Sequence, residues 1–134
     1  MPVSHRSRLE QRLPARPENI TALRRSVVQY AADGGVSERR REDVALAVSE
    51  ALSNVVVHAY DGHDEPGDVW VDAWIHRNAL QVSVCDDGNG MTRRSPSPGL
   101  GLGLALIGTV ADALRIENED ASPGVRVRMT FSLD

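Results

Sequence analysis

The sequence predicts an α+β domain, a two-layer sandwich with helices covering one face of a mostly antiparallel sheet. Two amphipathic helical patterns fill the first half of the chain, and runs with two-residue alternation dominate the second half. Each long strand pattern is apolar at one parity only, so only one sheet face needs a cover of helices. The 134 residues contain no internal repeat and no linker-like stretch, which predicts one domain over 1–134 with residues 1–8 as a flexible tail.

The elements follow in order. A short strand is expected around Gln11 to Ala15. Pro17 suits a first helical turn, and Ile20, Leu23, Val27, Tyr30 and Ala31 form one apolar face that stops at Gly34-Gly35. Ser37 is the expected N-cap of a second helix running to about His58, with Val44, Val48, Ala51, Leu52, Val55 and Ala59 inward. Arg39-Arg40-Arg41 reads as a solvated helix start. Asp61 to Gly67 is turn-rich. Val69, Val71, Ala73 and Ile75 share one parity, as do Leu80, Val82 and Val84, and His76 to Ala79 joins them in a hairpin. A glycine-dense segment, Asp86 to Gly103, opens into an apolar helix from Leu104 to Leu114. A short strand, Arg115 to Asn118, and a last strand, Val125 to Ser132, complete the pattern. Trp70, Asp72 and Trp74 alternate with core positions, so both tryptophans should face away from the helices. There they offer a surface to a partner or a second copy, unless the amino-terminal strand covers them.

Composition excludes several function classes. Hydrophobic residues make up 41% and charged residues 25%, as in a globular protein, and no run of about 20 apolar residues is present. The arginines of Met1 to Arg16 precede no apolar segment, so no secretory signal is expected and a cytoplasmic location is. A single cysteine, Cys85, agrees with a reducing compartment and reads as a packing residue. A net charge of −4 argues against direct nucleic-acid binding. All fifteen basic residues are arginine. Without lysine there is no Walker A loop, no protein-kinase-type fold and no Schiff-base chemistry, so phosphate must be held by backbone N–H groups, helix N-termini, arginine or metal.

Three segments carry candidate chemistry. Glu50 and Asn54, four apart on the second helix, lie on one face roughly 5–6 Å apart. A carboxylate beside a carboxamide can bind a hard cation and orient a hydroxyl, although alone the pair also reads as a solvated polar face. Asp86-Asp87-Gly88-Asn89-Gly90 ends a strand. Asp86 has the inward parity and needs a hydrogen-bond donor, such as an adenine amino group, whereas Asp87 points outward; an ordinary Asp-Gly turn is the alternative. Pro98-Gly99-Leu100-Gly101-Leu102-Gly103-Leu104 opens a helix, where glycines allow close approach and the N-terminus favours phosphate. The third glycine of a dinucleotide fold is missing, as is its second half.

In this order, the three segments resemble the N box and the two glycine boxes of the histidine-kinase-like (GHKL) ATPase superfamily. Leu13-Pro14-Ala15-Arg16-Pro17-Glu18, Ala47-Val48-Ser49-Glu50-Ala51, Asn54, His58-Ala59-Tyr60 and Gly101-Leu102-Gly103-Leu104-Ala105-Leu106-Ile107 are similar to the bacterial anti-sigma factor serine kinases of sporulation and stress control. The resemblance covers about Leu13 to Phe131 and implies the Bergerat ATP-binding fold. It implies ATP and Mg2+ as cofactors, with Asn54 on the metal, Glu50 as general base towards a serine hydroxyl and Asp86 reading the adenine. Gly88 and Gly90 would pass under the base, and Gly101, Leu102, Gly103 and Leu104 would lie along the phosphates, with backbone donors freed at the glycines. Thr130 would add a polar contact near the adenine.

Arg93 and Arg94, in a short lid from Met91 to Pro98, are candidates to reach the γ-phosphate, with a solvated lid as the alternative. Val125 stands where the family often has threonine, and His58 reads as structural. The implied function is an anti-sigma factor and serine/threonine-protein kinase that sequesters a sigma factor and phosphorylates an anti-anti-sigma (STAS) partner. A homodimer is open. The alternatives are an ATP-binding regulatory module without turnover, or a detached histidine-kinase ATPase domain.

Overall fold

A computed structural model describes residues 8–88, 98–118 and 124–134. The expected tail lies outside the described residues except for Arg8, and so do Gly90, Arg93 and Arg94. The chain runs β1 (Leu9–Pro14), α1 (Pro17–Asp33), α2 (Glu38–Asn54), a π-helical turn (Val55–Ala59), β2 (Asp68–His76), β3 (Ala79–Asp86), α3 (Pro98–Val110), β4 (Ala113–Asn118) and β5 (Val125–Ser132). The strands form one sheet in the order β1-β2-β3-β5-β4, and every described pairing is antiparallel. The helices pack on one face. Their apolar stripes meet the inward parity of the sheet, and Phe131, Leu23, Leu52, Leu80, Ile107 and Met129 are fully buried between the layers. Truncating Phe131 to alanine there would cost about 3–5 kcal/mol.

Local chemistry explains most boundaries. Pro17 opens α1, and α1 ends at Gly34, whose N–H reaches the carbonyls of Tyr30 and Ala31. Ser37 caps α2 by accepting the Arg40 N–H at 3.2 Å. The β2–β3 hairpin turns on Arg77 (φ 51) and Asn78 (φ 61), two consecutive left-handed residues matching the twist of an antiparallel pair.

Three expectations need correction. The glycine-rich helix spans Pro98–Val110 rather than Leu104 to Leu114, and β4 begins at Ala113 rather than Arg115. The helix stops early because Asp112 turns away: its N–H donates to the Thr130 carbonyl at 2.8 Å, and its carboxylate accepts the Ser132 N–H at 2.6 Å. Arg40 is no solvated residue. Its side chain lies over the Phe131 ring at 5.5 Å and pairs with Asp43 at 2.6 Å and Asp112 at 2.9 Å. It also donates to the Val110 carbonyl, so one guanidinium ties the start of α2 to the end of α3 and the edge of the sheet. The Ser132 backbone N–H, assisted by Arg40, holds the Asp112 carboxyl below its usual range.

The outer sheet face is polar and carries both tryptophans, half-buried as the strand parity requires. Arginines lie over them. Arg12 sits 4.9 Å from the Trp70 ring, and Arg8 and Arg128 lie 4.3 Å and 5.3 Å from that of Trp74. The amino-terminal strand thus supplies part of the cover. Cys85 is buried on the same face, and that burial pushes its thiol up against the opposing pull of Arg126. No helix among the described residues is long and apolar enough to cross a membrane.

Candidate active site

Close approaches at three glycines connect five elements at one end of the sheet. A Cβ on Gly124 would lie 2.1 Å from the Asp86 carbonyl oxygen, and one on Gly88 would lie 2.0 Å from that of Ala59. A Cβ on Gly103 would lie 3.2 Å from Glu50 Oε2 and 3.4 Å from Asn54 Oδ1. The start of β5, the end of β3, the π turn, the last turns of α2 and the glycine helix α3 therefore converge. Glycine is required at Gly88 and Gly124 because the crowding atoms are backbone, which cannot swing aside.

Asp86 ends β3 facing the helix layer at 4% exposure. Its Oδ1 accepts the Gly88 N–H at 2.9 Å, which orients the carboxylate. Its cross-strand neighbour is Val125, so no hydroxyl stands beside it at that rung. Asp87 points the other way and is exposed. Its Oδ1 lies 2.7 Å from the Tyr60 hydroxyl, which is also 2.5 Å from the Asp68 carbonyl, so one proton faces two acceptors. Burial and then the Asp87 hydrogen bond push the Tyr60 phenol well above its ordinary value.

Glu50 and Asn54 share the flank of α2 that meets α3. Asn54 is 7% exposed, and its Nδ2 has no hydrogen-bond partner among the described residues. A buried carboxamide in that state is costly unless something else satisfies it. The pair fits a hard cation: an amide oxygen and a carboxylate are oxygen donors one helical turn apart. Among the described residues no cluster of three or more His, Cys, Asp or Glu could hold a metal. The remaining ligands would then be phosphate oxygens and water, the usual arrangement for magnesium on a nucleotide.

Other expected site residues fall differently. Thr130 is on the outer sheet face, where its hydroxyl donates to Gln81 Oε1 at 2.7 Å. It lies five residues along β5 from the Asp86 rung, about 17 Å at strand rise. The expected contact near the adenine is therefore corrected; parity and distance both separate Thr130 from Asp86. Gly103 lies inside α3 rather than in a loop before it, so its contribution is close approach to Glu50 and Asn54, and the helix's free N–H groups belong to the turn after Pro98. Gly101 and Leu102 are in that helix, and Leu104 packs at the edge of the core. Ala59 reads from the sequence as an apolar helix position and Tyr60 as part of the resemblance, neither with a role at the site. Three consecutive valines, Val55 to Val57, were the available signal, because β-branched residues crowd an α-helix and mark where its turn widens.

Residues 13–131 match the histidine kinase-like ATPase domain family. The chain belongs to that family. Within it the chain is similar to the serine-protein kinase RsbW of Bacillus pumilus, 32% identical over 142 residues that cover 94% of this chain and 86% of that protein. The serine-protein kinase RsbW of Listeria monocytogenes is 33% identical, over 88% of this chain and 82% of that protein. In fold, the chain is similar to the RsbU and RsbW domains of Rv1364c from Mycobacterium tuberculosis, with a TM-score of 0.73 at 21% identity, over 94% of this chain and 32% of that one. The histidine kinase domain of a blue-light activated kinase from Erythrobacter litoralis gives 0.57 at 16% identity, over 90% of this chain and 62% of that one. These two likenesses concern the fold, which belongs to many functions, so the chemistry has to come from the site.

Proposed function

We propose that this chain is a single-domain, ATP-dependent serine-protein kinase of the cytoplasm that also holds a sigma factor and phosphorylates a STAS-class anti-anti-sigma partner. The observation that carries the proposal is Gly103 packed on Glu50 and Asn54, with the buried Asn54 amide unsatisfied by the described residues. Asp86, fixed by the Gly88 N–H, accepts from the adenine amino group. Gly88 lets the end of β3 pack directly on the π turn, which keeps Asp86 in place, and the first turn of α3 presents N–H groups to phosphate. Asn54 would hold magnesium, which supplies charge neutralisation across the triphosphate.

Glu50 then accepts the proton of a partner serine while the serine oxygen bonds to the γ-phosphorus. The bond from that phosphorus to the bridging oxygen breaks, and ADP leaves. The phosphoserine carries about −1.5 to −2 charge, enough to break a complementary interface. Both tryptophans on the outer sheet face support a further part of the proposal, a surface for self-association.

Labelled ATP incubated with the purified chain and a STAS-domain protein tests the proposal. Acid-stable, base-labile phosphate on the partner supports a serine kinase. Acid-labile, base-stable phosphate would assign a histidine kinase domain, and tight ATP binding without transfer would assign a binding module.

A further inference from the structure

Among the described residues only three large apolar side chains are exposed: Leu46 at 40%, Val57 at 58% and Ile116 at 40%. The first two lie on one ridge. Helix α2 buries Val44, Ala47, Val48, Ala51 and Leu52. On one flank Ser49 lies 3.4 Å from the Arg24 guanidinium of α1. On the other, Glu50 and Asn54 meet Gly103 of α3. Outward of these contacts runs a line from Leu46 past Glu50 and Ser53 of α2 to Val57 in the π turn. Its middle is low, because Ser53 and the neighbouring Ser49 are small. Two apolar side chains therefore stand on either side of the proposed base.

A serine hydroxyl must come within about 2.6–3.2 Å of Glu50 to give up its proton, and a segment that runs along this ridge brings its serine there. At helical rise Leu46 is about 6 Å from Glu50 along the axis, and Val57 about 10 Å on the other side. An extended segment advances about 3.3 Å per residue, which places its contacts roughly two residues from the serine on one side and three on the other. We propose that Leu46 and Val57 are the docking contacts for the protein substrate, reading apolar side chains that flank its acceptor serine at those offsets. The inference rests on Glu50 being the base towards a protein serine. Two side chains fall far short of the roughly 800 Å2 per partner of a stable interface, which fits a substrate that must leave after each transfer. The carboxylates of Glu42 and Glu50 beside the ridge disfavour an anionic lipid surface.

The test is steady-state phosphorylation of a purified STAS-domain protein by wild type, Leu46→Asp, Val57→Asp and Leu46→Met, with ATP affinity and melting temperature measured alongside. Each aspartate variant should raise KM for the protein about tenfold or more at near-normal kcat, with ATP affinity unchanged, and Leu46→Met should behave as wild type. Wild-type KM in both aspartate variants would overturn the proposal. A fall in kcat at constant KM would also overturn it, since that places the effect on Glu50. Loss of sigma-factor binding with normal transfer would assign the ridge to the sigma factor instead. A wild-type protein that binds ATP and transfers nothing would overturn the kinase reading itself, and the docking proposal with it.

Discussion

Replacing Gly88 by alanine should uncouple the nucleotide end of the sheet from α2. The new Cβ would sit 2.0 Å from the Ala59 carbonyl oxygen and 2.6 Å from its carbon. Cβ atoms do not approach closer than 3.0 Å, so the two backbones must separate by at least the 1 Å difference. Overpacking of that kind costs about 1–3 kcal/mol. The same shift pulls the Gly88 N–H from the buried Asp86 carboxylate, where it donates at 2.9 Å, and a bond to a charged acceptor contributes about 1.5–3 kcal/mol. A total loss of about 2.5–6 kcal/mol, at about 3–4 °C per kcal/mol for a chain of this size, lowers Tm by roughly 8–24 °C.

Calorimetry with and without Mg-ATP measures both consequences, and ligand-induced stabilisation should largely vanish. Gly62→Ala is the control. Gly62 has φ +82 and open space at its Cβ position, so it loses only about 1 kcal/mol of conformational preference and keeps ATP binding. Gly88→Ala melting within about 2 °C of wild type, with unchanged ATP binding, would refute the close-approach account.

ATP binding should need magnesium and should collapse in Asn54→Ala, measured by titration with and without the metal, because the chain has no lysine to take over charge neutralisation. Asp112 has its folded pKa depressed, so its stabilising contribution is complete above its unfolded value and disappears as pH falls through the folded one. The stability gap between wild type and Asp112→Asn in urea melts should therefore be constant from neutral pH to about 5 and shrink below about 4. Trp70→Ala and Trp74→Ala should weaken self-association in sedimentation while leaving ATP binding intact, and variants that only lose stability would make the rings part of the sheet's own packing.

The two-layer architecture was legible because strand parity and helix spacing both record one buried face. Val69 to Ile75 and Leu80 to Val84 declare their inward side, and Ser37 and Gly34 mark helix ends through local chemistry. The C-terminal bounds of α3 were not legible, since Asp112 stops the helix through Ser132 and Arg40, both remote in sequence. Its start at Pro98 was hidden by glycines of low helix propensity, which tertiary packing against Glu50 and Asn54 overrides. Asp86 could be placed by parity alone. Thr130 could have been judged by the same rule, because it has the outward parity of its strand; family resemblance drew it towards the adenine. The pairing of Gly88 with Ala59 had no sequence signal, because it joins two backbones rather than two side chains.

Single-turnover phosphoryl transfer by Glu50→Gln tests the central claim most directly. The substitution keeps the shape that packs on Gly103 but cannot accept the serine proton, and removing a general base typically costs about 10²–10⁴ in rate. ATP affinity should stay within a few-fold and sigma-factor holding should persist, while transfer to a STAS-domain protein falls by that factor. Transfer at the wild-type single-turnover rate would contradict the account and remove Glu50 from the chemistry.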